Sequence, residues 1–134
     1  MATPLVSVAG VYSGSNVISN NIHDHVYTTN SVVSNSYMMT NSDGTITRIE
    51  NMGDVILYEK YNSSFQLVHQ GTIPFELSYF GGCYSGVNYN YLIFGQENPN
   101  QDNNLECIRI VKYTKNWVRV SSAAVTNCNT RVPF

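Results

Sequence analysis

The feature that most constrains the fold is a stretch of sequence that occurs twice. Residues 55–73 align without a gap with residues 107–125, at a register offset of 113 − 61 = 52 residues. A repeat of about 20–50 residues is typical of solenoids, propellers and other arrays of similar units. The chain is therefore predicted to contain two related units. The matched pairs include Lys60 with Lys112, Tyr61 with Tyr113, and Phe65 with Trp117.

Each copy of the repeat is predicted to be a β-hairpin. Its residues are β-branched, aromatic and aliphatic, and they lack both proline and helical spacing, which favours strands. Short loops, residues 62–64 and 114–116, separate the two predicted strands of each copy. Apolar side chains fall on both faces of the predicted strand at 107–113, so we expect the sheet to be covered on both sides.

Size and composition limit the classes of function. The chain has 134 residues, enough for one hydrophobic core, and only 12% of them are charged, with a formal net charge of −2. This charge gives no reason to expect a nucleic-acid partner. No apolar run approaches the roughly 18–20 residues that span a bilayer, so we expect no membrane insertion. An Asn-, Ser- and Tyr-rich, lysine-poor chain is typical of secreted β proteins, which predicts an extracellular or cell-surface location.

The second unit is predicted to hold four strands, around residues 82–86, 91–95, 107–113 and 117–125. A four-stranded meander of about 50 residues has the size of one propeller blade. The predicted fold is all-β, with two four-stranded antiparallel units of propeller type and a β-sandwich of the same hairpins as the alternative.

The two units are placed at residues 1–79 and 80–134, with an insertion in the first at about 15–50. A strand is predicted at residues 5–14, and its end, residues 10–14, matches residues 82–86.

The second unit also resembles a known family. Residues 80–98, the strand 108–113 and Trp117 look like a blade from the large β-propellers of bacterial, notably clostridial, cell-surface proteins. The resemblance implies extracellular display and a role in binding or adhesion, and it supplies no catalytic residues. Propellers usually have four to eight blades. We therefore expect the chain to form homo-oligomers or to be part of a longer chain.

Aromatic and amide side chains near residue 90 are the predicted ligand-binding site. Sugars place their apolar faces on aromatic rings and their hydroxyls on amides, so the expected ligand is a glycan or a protein. The alternative is core packing, the usual role of alternating aromatic residues in strands. The residues are Tyr84, Asn88, Tyr89, Asn90 and Tyr91.

No cofactor is expected, but two segments have metal-ligand residue types. Residues 98–104 place side-chain oxygens at alternate positions (Asn98, Asn100, Asp102 and Asn104), as calcium sites do; the alternative is a solvated loop. The zinc-ligand types cluster at His23, Asp24 and His25, for which His69 is the available further ligand. The alternative there is an exposed polar loop.

The three cysteines are an odd number, which argues against a closed disulfide framework. Cys107 aligns with Val55 and is predicted to be a small buried hydrophobe. A bridge between Cys83 and Cys128 is the alternative that the sequence leaves open.

No catalytic motif is present. The sequence lacks Gly-x-Ser-x-Gly, the dinucleotide-binding glycine pattern and the phosphate loop, and its acids are scattered through predicted turns. We therefore predict a non-catalytic binding or adhesion module. The alternatives are a structural segment whose partners are other blades or chains, and a fragment of a propeller hydrolase whose catalytic residues lie elsewhere.

Overall fold

The computed structural model describes residues 36–134, which form eight strands in two sheets. Sheet A contains β1 (Ser36–Thr40), β2 (Ile46–Asn51), β3 (Val55–Tyr61) and β4 (Leu67–Pro74). Sheet B contains β5 (Tyr79–Ser85), β6 (Tyr89–Gly95), β7 (Ile108–Thr114) and β8 (Arg119–Val125). Each sheet is an antiparallel meander in chain order, so the predicted all-β fold with two four-stranded antiparallel sheets is confirmed.

Both sheets belong to one compact unit, Val33–Phe134. The predicted strand at 5–14 and the histidine cluster at 23–25 lie outside the described residues. Of the predicted insertion, residues 36–51 carry β1 and β2. The division at residues 79 and 80 stays a prediction, although β5 begins beside it.

The hairpins that match in sequence also match in their turns. In the first, the amide of Phe65 donates to Asn62 O over 2.9 Å, and Phe65 has a positive φ of 59°. In the second, the amide of Trp117 donates to Thr114 O over 3.0 Å, and Trp117 has a φ of 63°. Side-chain oxygens of Asn62 and Thr114 cap the two turns in the same way. This is the three-residue loop in which a turn is followed by a left-handed residue.

The left-handed position usually favours glycine, as at Gly44 in the β1–β2 turn (φ 77°). At Trp117 the conformation directs an indole into the core, where the side chain is only 9% exposed. Its ring is stacked on Tyr58 of sheet A, with centroids 5.6 Å apart and planes at 26°. Phe65 occupies the same turn position in sheet A but is 47% exposed.

The core lies where side chains of the two sheets meet. The core residues of sheet A lie on one of its faces, because Ile56 is the cross-strand partner of Ile73 and Ile49 is the partner of Tyr58. Sheet B contributes the face on which Leu92 pairs with Val111. We call these the inner faces. The buried cluster consists of Ile49, Ile56, Ile73, Leu92, Phe94, Val111, Tyr113 and Trp117.

The two inner faces are not equivalent in the repeat. With the offset of 52 residues, Ile56 and Tyr58 of the inner face of sheet A correspond to Ile108 and Ile110. In sheet B these two residues lie on the opposite, outer face, because they pair with Gly95 and Ile93 while the core residue Val111 pairs with Leu92. The sheets therefore pack head to tail, with one type of face against the other. A sandwich made by a two-fold axis would bring like faces together.

The segment between the sheets is fixed by charge and by an aromatic side chain. Phe75 packs on Phe94 with ring centroids 5.4 Å apart. Glu76 accepts hydrogen bonds from Arg119 Nε over 2.6 Å and from Arg109 Nη1 over 3.3 Å. The Arg119 hydrogen bond, with further contributions from Arg109, lowers the pKa of Glu76 although partial burial opposes the shift.

The turn equivalence leads to a prediction for a matched pair of variants. Both Phe65→Gly and Trp117→Gly remove an aromatic side chain from a left-handed position and relieve about 1 kcal/mol of backbone strain. We expect Trp117→Gly to lose about 2–4 kcal/mol of unfolding free energy, because its indole is buried. Phe65→Gly should remain within about 1 kcal/mol of the parent chain. Urea denaturation measures both; equal losses would contradict the assignment of core packing to Trp117 alone.

Glu76 predicts a pH dependence of stability. Its folded-state pKa lies below the ordinary value of 4.5, so the ionised carboxylate stabilises the fold at pH values above 4.5. That contribution is lost as the pH falls through the folded-state pKa. We expect Glu76→Gln to be destabilising near neutral pH and its difference from the parent to shrink towards zero in acid. Urea denaturation at several pH values tests this; a difference independent of pH would contradict it.

Candidate functional site

Three of the predicted ligand-binding residues share the outer face of sheet B. Tyr84 pairs with Tyr91 across β5 and β6, and their rings are 6.2 Å apart at an angle of 34°. Tyr89 lies on the same face because side chains two apart in a strand point the same way. Tyr84 is 66% exposed, so core packing does not account for it. We call Tyr84, Tyr89 and Tyr91 the tyrosine surface.

A lysine completes this surface. The ammonium of Lys112 in β7 lies 3.6 Å from the centre of the Tyr89 ring, and Lys112 is the register partner of Tyr91. Such cation–π contacts hold an ammonium over an aromatic face and contribute about 0.5–1 kcal/mol at exposed sites. In the sequence Lys112 is distinguished only as the partner of Lys60 in the repeat, because its contact with Tyr89 depends on strand register.

The two predicted asparagines are placed differently. Asn88 is exposed in the short β5–β6 loop, which is closed by a hydrogen bond from Gly86 N to Tyr89 O over 2.9 Å. Asn90 is buried on the inner face, where its side-chain oxygen accepts from Ser85 over 2.9 Å. The structure therefore brings the three tyrosines and Asn88 to one end of sheet B, and it places Asn90 beneath them in a structural role.

Lys115 joins this hairpin end from the β7–β8 loop. Its ammonium donates to Ser85 Oγ over 2.6 Å, to Asn90 Oδ1 over 2.9 Å and to Gly86 O over 3.0 Å. All three acceptors are neutral. Lys115 thus fixes the β5–β6 loop while its positive charge stays uncompensated by any carboxylate among residues 36–134.

A cavity of about 370 Å³ lies beside the tyrosine surface, between β1 and β5. These are the first strands of their sheets, and neither pairs with a second strand among the described residues. Their outer edges therefore present backbone N–H and C=O groups that the sheets do not use. Sequence reasoning missed the cavity because it depends on two edges being brought together. It is lined by Tyr37, Met38, Met39, Thr40, Cys83, Tyr84 and Ser85.

The loop that has calcium-ligand residue types uses some of its polar groups internally. Asn98 is buried, and its side chain bonds both the amide (2.9 Å) and the carbonyl (3.0 Å) of Asp102. A carboxylate oxygen of Asp102 in turn accepts from the amide of Asn104 over 2.8 Å. Residues 36–134 contain no group of three or more His, Cys, Asp or Glu side chains that would hold a metal ion. The expectation of no cofactor stays a prediction, and calcium at this loop stays its alternative.

The cysteines are free thiols. Cys107 is fully buried, as its alignment with Val55 predicts. Cys83 packs against the core, and burial raises its pKa to about 11. Cys128 neighbours Cys107, not Cys83: its thiol and the amide of Cys107 share the carbonyl oxygen of Val125, at 3.6 and 3.0 Å.

The structure also assembles a group of acids that sequence reasoning treated as scattered. Glu50 and Glu59 lie buried on the outer face of sheet A with Arg48 between them. Arg48 Nη1 donates to Glu59 over 2.7 Å, and the hydroxyl of Tyr61 donates to the same carboxylate over 3.0 Å. Both carboxylates are shielded from solvent, so the arrangement neutralises charge within the protein. The alternation of side chains along β2 and β3 places Arg48, Glu50 and Glu59 on one face, and this pattern could have predicted the cluster from the sequence.

Comparison of the chain with family models, with curated proteins and with solved structures gives no significant match. Among residues 36–134 there is no helix of the length and apolarity that crossing a membrane requires.

Proposed function

We propose that this protein is a non-catalytic extracellular binding or adhesion module, and that a saccharide binds at the tyrosine surface and the cavity beside it. The observation that carries the proposal is the exposed ring of Tyr84, which lines the cavity and packs against the half-buried ring of Tyr91. A largely exposed tyrosine packed against a second tyrosine offers a rigid, flat surface with little conformational entropy to lose.

The chemistry of the site suits a sugar ring. Aromatic faces accept the C–H side of a pyranose, and backbone groups along β1 and β5 that no strand among residues 36–134 uses could bond its hydroxyls. The cavity volume of about 370 Å³ is at the small end of ligand sites, which favours one or two rings over a larger ligand. Asn88 adds an exposed amide at the hairpin end.

Two tyrosines of β5 provide a matched test. Tyr84 belongs to the tyrosine surface, whereas Tyr79 lies at the other end of the same strand, 44% exposed, and donates to Glu97 over 2.8 Å. We expect Tyr84→Ala to weaken saccharide binding about tenfold or more, which corresponds to about 1.4 kcal/mol. Tyr79→Ala should leave affinity unchanged. A glycan array identifies bound saccharides, and calorimetry measures their affinities.

Both variants replace exposed side chains, so we expect their unfolding free energies to lie within about 0.5 kcal/mol of that of the parent chain. Equal affinities of the parent and Tyr84→Ala for a saccharide found on the array would remove the tyrosine surface as its site. No saccharide bound on the array at millimolar sensitivity would count against glycan recognition as a whole.

A second candidate function is favoured by the head-to-tail packing of the sheets. On sheet A, the face that carries Ile56 and Tyr58 is covered by sheet B. The corresponding face of sheet B carries Ile108 and Ile110, and no described residue forms a third sheet on it. Repetition of the same packing would add a further sheet there. This arrangement supports a propeller-type segment whose partners are other blades or chains.

Self-association tests this second candidate. Ile110 is 38% exposed on the outer face and corresponds to Tyr58, on which Trp117 stacks. If the outer face binds another copy, Ile110→Asp should lower the oligomer mass measured by light scattering at high protein concentration, because a buried charge opposes docking. Val87→Asp, at an almost fully exposed loop position, is the control. If the parent chain remains monomeric at high concentration, the proposal of self-assembly through this face is wrong.

A further inference from the structure

We propose that the saccharide bound at the tyrosine surface is acidic and bears carboxylate or sulfate groups that Lys112 recognises, with Lys115 adding positive charge nearby. This inference rests on the proposed function and narrows its ligand class. Its basis is the placement of two lysines that form no ion pair with a carboxylate among residues 36–134.

The chain has seven Lys and Arg residues, and all seven lie in the part of the chain that the structure describes. Four of them (Arg48, Lys60, Arg109 and Arg119) form ion pairs with carboxylates. Arg131 lies near the end of the chain. The other two, Lys112 and Lys115, flank the β5–β6 hairpin end and form no ion pair with a described carboxylate. Both uncompensated lysines of sheet B are therefore beside the candidate site.

The repeat supplies an internal comparison for Lys112. Lys60 occupies the same position in the first copy, and its ammonium pairs with Asp43 over 3.2 Å. In sheet B the ammonium of Lys112 instead lies on the Tyr89 ring. An aromatic face holds an ammonium in place without neutralising it, so Lys112 keeps a net charge to offer a ligand.

Lys115 brings a second charge to the site from the inner side of the hairpin. Its ammonium donates to Ser85 Oγ, and Ser85 also lines the cavity together with Tyr84. Neutral oxygens orient the ammonium but do not neutralise it. Its charge therefore acts over the Debye screening length, which is about 8–10 Å near physiological salt. An anion bound beside Tyr84 and Ser85 would be attracted by both lysines.

Negative charge in sheet B lies at the opposite end. The strand β6 runs from Tyr89 at the tyrosine surface to Gly95, and the loop that follows contains Glu97 and Asp102, which form no ion pair with a described residue, as well as Glu106, which pairs with Arg109. A protein with a formal net charge of −2 thus presents a local positive end, which is the expected arrangement for attracting and orienting an anionic ligand.

The test uses two probes that differ only in charge. One is a hyaluronan hexasaccharide, which carries a carboxylate on alternate sugars, and the other is the same hexasaccharide with its carboxylates reduced to alcohols. We expect the parent chain to bind the acidic probe about tenfold more tightly at low salt, with the preference shrinking as salt is raised. A sulfated disaccharide and its desulfated form extend the comparison to sulfate groups.

Matched lysine variants show which lysine is responsible for the preference for the acidic probe. Lys112→Gln should remove most of the preference for the acidic probe, while Lys60→Gln, which removes the same formal charge at the equivalent position of sheet A, should leave it intact. Lys112→Arg keeps both the charge and the contact with an aromatic face, and should retain the preference. Thermal melting of each variant verifies that the folded state is the one being titrated.

The outcomes separate this inference from the proposed function. Equal affinity for charged and uncharged probes, with both lost in Tyr84→Ala, would overturn the acidic ligand and leave saccharide binding at the tyrosine surface in place. An equal loss of the preference in Lys112→Gln and Lys60→Gln would also overturn it. Failure of every acidic and neutral saccharide to bind would overturn both. A preference that depends on Lys112 and on Tyr84 supports both.

Discussion

The packing of one sheet face against an unlike face is the interaction on which the rest of this structure depends. Trp117 extends from the β7–β8 turn onto Tyr58, and Phe75 extends from the end of sheet A onto Phe94. Burial of such side chains contributes about 1.5–3 kcal/mol each, and an isolated four-stranded sheet has no comparable source of stability. Each sheet therefore needs the other. The cost is a left-handed backbone at Trp117, which the buried indole offsets.

Head-to-tail packing determines the character of the remaining two faces. The outer face of sheet A corresponds to the inner face of sheet B, yet it carries Glu59 where sheet B carries Val111. Glu59 is buried, and its Oε1 atom has no hydrogen-bond partner among the described residues. A buried carboxylate is costly unless it is paired, and Arg48 and Tyr61 supply its other oxygen with two donors. The outer face of sheet A therefore has a charged arrangement where the corresponding inner face of sheet B has apolar packing.

The outer face of sheet B has diverged less in its centre than at its hairpin end. Ile108 and Ile110 keep the apolar character of Ile56 and Tyr58, which supports docking of a further sheet. At the hairpin end the same face presents Tyr84, Tyr91 and the uncompensated Lys112, which support ligand binding. The two proposals compete for this surface: the positions of sheet A that correspond to Tyr91 and Tyr84 are Thr47, which is buried, and Met39, which packs against the core, so a sheet docked in the same way would cover the tyrosine surface.

The sequence by itself determined the strands and their pairing partners in each hairpin. β-Branched and aromatic runs, short polar turns and the gapless repeat are local features, and they predicted the four strands of sheet B and the matched hairpins β3–β4 and β7–β8. The repeat also paired Phe65 with Trp117, whose shared left-handed turn the structure shows. The sequence also marked Tyr84, Tyr89 and Tyr91 by residue type, and the strand register then places them on one face.

Only the tertiary structure decided which face of each sheet is covered and what surrounds the tyrosines. Alternation divides a strand into two faces but does not say which of them meets a neighbour, so Asn90 was grouped with the exposed tyrosines although it lies buried on the inner face. The cavity, the position of Lys112 over Tyr89 and the Glu50–Arg48–Glu59 cluster all arise from register or from contacts between distant segments. Local residue types carry no information about such contacts, because they depend on how the sheets are stacked.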